Sequence, residues 1–79
     1  MQVERSSVED TIRTFLQRVR KPTDFTDTTL LHADGLDLDS LETAELSAVL
    51  EDTFETDPFS SLSVPPDTVG GILEFYGAS

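Results

Sequence analysis

The chain has 79 residues, no cysteine and a formal net charge of −11, which bounds it to one small domain, residues 1–79, with no disulfide framework, no thiolate nucleophile and no room for a deep active-site cleft. All five Lys and Arg lie in the first 21 positions, whereas residues 22–79 carry thirteen Asp and Glu and no Lys or Arg. Such a surface repels nucleic-acid phosphates and anionic headgroups and attracts basic protein patches. With no apolar run long enough for a membrane span or a signal-peptide core, the expectation is a cytoplasmic monomer with neither a nucleic-acid nor a membrane partner.

The first helix is signalled by Ser6 with Glu9, or Ser7 with Asp10, as a capping box. Apolar residues follow at Val8, Ile12, Phe15, Leu16 and Val19, the spacing of one helical face. Arg18, Arg20 and Lys21 suit the C-terminal end of the dipole, and Pro22 is expected to end the helix. A long loop, Thr23 to Asp39, comes next, with a turn at Asp34-Gly35 and with Phe25, Leu30, Leu31, Leu36 and Leu38 as anchors. The second helix is expected from about Ser40 to Phe54. The stretch from Pro58 to Pro66 holds one short turn near Phe59 to Leu62. A last helix begins at Asp67 or Thr68, carries Val69, Ile72, Leu73 and Tyr76 on one side, and ends at Gly77. Gly70 and Gly71 inside it each cost about 1 kcal/mol relative to alanine, so packing must hold it. No strand alternation of useful length appears. The fold class is therefore all-α, a small four-helix bundle of three main helices plus a short third.

The second helix bears two apolar stripes. At about 100° per residue, Leu46, Leu50 and Phe54 share a sector free of charge and face the core. Leu41, Ala44 and Ala48 lie nearly opposite, among Glu45, Glu51, Asp52 and Glu55. Four unpaired carboxylates cannot rim a buried stripe, so this second face meets water, an apolar patch with an acidic border suited to docking a partner.

Ser40, at the head of that helix, admits three roles. It can be a helix cap, as Ser and Asp usually are. It can be a nucleophile, but His32 is the only histidine, no G-x-S-x-G elbow surrounds it, and S-x-x-K fails at Thr43. No catalytic residue is assigned. It can be a modification site, its hydroxyl at the positive end of a helix suited to a phosphate, although Asp37, Asp39 and Glu42 oppose that charge. A calcium loop is excluded, because the ligand positions after Asp37 and Asp39 fall on Leu41 and Ala48, and no metal site is assigned.

Asp39-Ser40-Leu41 resembles the attachment signature of acyl carrier proteins. Leu38-Asp39-Ser40-Leu41-Glu42-Thr43-Ala44-Glu45-Leu46 resembles the family's recognition helix, and Leu50-Glu51-Asp52-Thr53-Phe54 its acid-acid-x-Phe ending. Gly35-Leu36-Asp37-Leu38 resembles the approach to the serine, and Thr68 to Tyr76 the closing helix, so the resemblance covers residues 35–76. It implies a carrier, not an enzyme. A phosphopantetheinyl transferase would move 4′-phosphopantetheine from coenzyme A onto Ser40, flanked by Asp39 and Leu41, and the arm's thiol would hold an acyl or aminoacyl group as a thioester. Partners of the acyltransferase, ketosynthase or acyl/aminoacyl ligase type would dock through basic patches on Leu41, Glu42, Ala44, Glu45, Ala48, Glu51 and Asp52. Where many members have Gly after the helix-two Phe, this chain reads Phe54-Glu55-Thr56-Asp57-Pro58-Phe59, and Ser60 to Pro66 is poor in helix formers. These departures suggest polyketide or related natural-product assembly. The alternative is an acidic decoy or adaptor that docks a basic partner without a prosthetic group.

Overall fold

The apolar face of the first segment folds as α1 (Arg5–Arg18), burying Val8, Ile12, Phe15 and Leu16. The computed structural model describes residues 3–77. Neither Ser6 nor Ser7 caps α1: the cap is Glu4, which makes no side-chain cap bond, and both serines lie inside the first turn. The extra turn is held by Arg5, which pairs with Glu9 one turn on and with Asp27 in the loop. The far end stops before Pro22. Arg20 turns left-handed at φ 62°, its N–H reaches the Gln17 carbonyl, and the Lys21 N–H reaches the Leu16 carbonyl at 2.9 Å. That pair of bonds is a Schellman motif built without glycine.

The long loop is packed by its own side chains. Leu31, Leu36 and Leu38 are fully buried and Phe25 partly so, whereas Leu30 stays 38% exposed. Leu30 contributes through its backbone instead, pairing with Thr68 in an isolated antiparallel bridge. The Leu31 N–H donates to the Asp67 carbonyl, Val69 to Thr29, and Gly70 to Asp27 at 2.7 Å. This contact explains Gly70, since a Cβ there would sit 2.7 Å from the Asp27 oxygen, and Gly71 is pressed against Pro66 in the same way. Gly70 lets the long loop approach the helix closely and Gly71 makes room for Pro66 just ahead of it, which offsets their low helix propensity.

α2 (Ser40–Phe54) buries Leu46, Leu50 and Phe54 against α1 and the loop leucines. α3 (Pro58–Ser61) is one turn, and α4 (Val69–Phe75) is capped by the Thr68 hydroxyl accepting from the Gly71 N–H. Val69, Ile72 and Leu73 complete the core. The result is a compact all-α domain with three helices of seven residues or more, one short helix, and a long loop between α1 and α2. Among the described residues no helix is long and apolar enough to cross a membrane.

α2 ends on Glu55 at φ 69°, in the left-handed region. An L side chain is strained there and glycine is not. Glu55→Gly should therefore raise the unfolding free energy by about 0.5–1 kcal/mol in urea titrations; a loss of stability would show that the Glu55 side chain outweighs its backbone strain.

Candidate functional site

The site is the loop-to-helix junction that presents Ser40. Asp39, not Ser40, is the N-cap of α2. Its Oδ1 accepts from the Glu42 N–H at 2.7 Å, and the Glu42 Oε1 accepts from the Asp39 N–H at 3.0 Å, a complete capping box. The cap reading of Ser40 is thereby corrected. Asp39 precedes the first helical residue, with extended backbone and a carboxylate that accepts from the Glu42 N–H, so Ser40 falls one position inside. Ser40 is exposed, and among the described residues no side-chain hydrogen bond employs its hydroxyl. Thr43, one turn on, instead returns its hydroxyl to the Asp39 carbonyl.

The approach is held from both sides. Asp34 and Asp37 adopt positive φ, 70° and 55°, so the chain makes two left-handed turns before the helix. Gly35 between them is required by crowding, since a Cβ would fall 2.0 Å from the Leu30 carbonyl oxygen. The Leu36 N–H donates to that carbonyl at 2.8 Å, and Leu38 to Leu31 at 2.9 Å. His32, an exposed loop histidine, turns Nδ1 to the Leu38 carbonyl at 3.0 Å, so the ring braces the turn. Lys21 reaches in from beyond α1. Its Nζ donates to the Asp37 carbonyl at 2.9 Å and lies 3.6 Å from the Glu42 Oε1.

Along α2, the second stripe lies on the surface. Leu41 is 69% exposed, and Ala44, Ala48, Glu51 and Asp52 are exposed. Glu42 and Glu45 are half-buried, and each meets a cation of α1 or its end: Lys21 for Glu42, and Arg18 at 3.9 Å for Glu45. No Lys or Arg lies within ion-pairing distance of Glu51 or Asp52 among the described residues. An open depression of about 390 Å³ spans Ala48, Glu51 and Asp52. The acidic face is therefore divided, screened near Ser40 and bare toward its C-terminal end. No group of three or more His, Asp or Glu among the described residues is placed to hold a metal ion.

Two residues escape the sequence reading. Lys21 leaves no local signal, because its partner is a backbone carbonyl sixteen residues away. Asp57 does leave one, since Asp before Pro is the pattern of an N-cap followed by the first helical residue. It is 1% exposed, and its Oδ1 accepts from the Phe59 and Ser60 amides and from the Ser47 hydroxyl at 2.7 Å. Burial pushes its carboxyl up, but the Ser47 hydroxyl and the Ser60 and Phe59 bonds outweigh that and hold it below the usual aspartate range. Oδ2 is buried without a partner. Nearby, Tyr76 donates to the Thr56 carbonyl at 2.7 Å, and burial, aided by the Asp57 charge, keeps its phenol neutral well above the ordinary range.

Comparison with family models, curated proteins and solved structures finds no match to the chain.

Proposed function

We propose that the chain is a carrier protein of the acyl-carrier kind, with 4′-phosphopantetheine attached to Ser40. The observation that supports this most is that Asp39 takes the capping role and leaves the Ser40 hydroxyl exposed and unengaged at the first turn of α2. The junction suits a phosphodiester. The helix terminus favours negative charge, the carboxylates of Asp39 and Glu42 are turned to each other's amides, and Lys21 stands beside Glu42.

When attached, the arm would supply a thiol that holds an acyl or aminoacyl group as a thioester. The chain's own part is to provide a nucleophile and a landing surface. Ser40 Oγ forms the new phosphoester bond as the pyrophosphate bond of coenzyme A breaks. The adenosine bisphosphate half leaves, and the hydroxyl proton passes to the transferase. Leu41, Ala44 and Ala48 offer partners an apolar ridge, and Glu51 and Asp52 offer bare negative charge to their Lys and Arg. Polyketide or related natural-product assembly is the pathway class to which the resemblance leads, with acyltransferases, ketosynthases and acyl or aminoacyl ligases as partners.

The test is incubation with a promiscuous phosphopantetheinyl transferase and coenzyme A, followed by intact mass and peptide mapping. The unaltered chain is expected to gain one phosphopantetheine, on Ser40, and Ser40→Ala none. Should neither gain mass, the acidic adaptor without a prosthetic group takes its place.

A further inference from the structure

Lys21 belongs to α1's exit, yet every polar contact of its side chain falls on the segment that delivers Ser40. Its backbone is fixed first, because its N–H closes the Schellman motif onto the Leu16 carbonyl. From there Nζ donates to the carbonyl of Asp37, a residue in the left-handed region. The same ammonium faces the Glu42 Oε1, the oxygen that accepts the Asp39 N–H. The side chains of Lys21 and Glu42 are 24% and 18% exposed, so this pair is screened less than an open surface ion pair. Lys21 thus ties the strained turn before the serine to the capping box around it.

We infer that Lys21 is a positioning residue for Ser40, clasping the Asp37 turn to the Asp39–Glu42 capping box so that the backbone bearing the serine is held in place for group transfer. The inference rests on the carrier reading for its chemistry, though not for its structural half. Lys21 also sets one positive charge against Glu42, where an incoming phosphate would otherwise meet the carboxylates of Asp37, Asp39 and Glu42 alone. No other cation among the described residues ion-pairs with these three acids.

The test compares the full chain with Lys21→Met and Lys21→Arg. Amide hydrogen exchange at Asp37 and Asp39, read by NMR, is expected to quicken about tenfold in Lys21→Met while the Ile12 and Leu50 amides keep their protection. Loading by the transferase is expected to fall about tenfold in kcat with little change in KM, as for a misplaced reacting group, and Lys21→Arg is expected to recover most of both. Unchanged exchange in Lys21→Met overturns the inference whether or not the protein can be loaded. In a chain that loads, an unchanged kcat overturns it, as does a loss confined to KM, which would assign Lys21 to docking. An unaltered chain that takes no arm defeats the carrier reading instead, and the exchange rates then decide the clasp alone.

Discussion

Leu50→Ala should lower the unfolding free energy by about 2–5 kcal/mol, whereas Ala48→Glu should change it by less than about 0.5 kcal/mol. The two positions are less than a turn apart on α2. Leu50 is fully buried in the cluster formed with Ile12, Leu46, Ile72 and the loop leucines, so truncation removes apolar contact and leaves a cavity. Ala48 is exposed, beside Glu51 and Asp52, so a new carboxylate remains hydrated and adds only mild repulsion. Urea titration of both variants measures the contrast. Under the carrier reading Ala48→Glu also raises the transferase KM, because it interrupts the apolar ridge. If Ala48→Glu unfolded the protein and Leu50→Ala did not, the assignment of the two faces of α2 would be reversed.

The second large effect is expected at Asp57. Asp57→Ala leaves the Phe59 and Ser60 amides and the Ser47 hydroxyl without their acceptor, at a cost of about 2–3 kcal/mol. Asp57→Asn keeps an oxygen for those donors and should lose less. The pH dependence has a definite sign. The carboxyl is held below its usual range in the fold, so ionised Asp57 contributes stability above the unfolded-state pKa. That contribution fades as the pH drops below about 4. Thermal melts from neutral to acid pH should show a shallower acid decline for Asp57→Asn than for the unaltered chain. Equal slopes would mean that burial cancels what the hydrogen bonds provide.

Periodicity made the helices legible. The Val8, Ile12, Phe15, Leu16 face and the Leu46, Leu50, Phe54 face are each interior, because an apolar stripe at helical spacing has one place to go. Helix ends were less legible. Ser6 and Ser7 carry the residue types of a cap, but Arg5 pairs with Asp27 in the distant loop and carries the helix past them. Asp39 and Ser40 are both good caps, and the choice between them was made by the reciprocal Glu42 bond. Gly70 and Gly71 look like defects in a helix until the loop that Gly70 admits and the proline that Gly71 accommodates are known. At the site, the serine and the acids around it could be read from the chain. The brace could not, because Lys21 and His32 both act on carbonyls, which no side-chain pattern encodes.

The stitching of residues 27–31 to residues 67–70 makes the long connection a strut, not a lid. To swing it aside, α4 would first have to surrender the bonds that its leading turn makes with Asp27 and Thr29. Slack therefore cannot gather in residues 27–31 while the rest of the molecule stays shut. A pull on this stretch works against the final helix as well, so the chain's closing segment anchors the base from which the turn toward Ser40 departs.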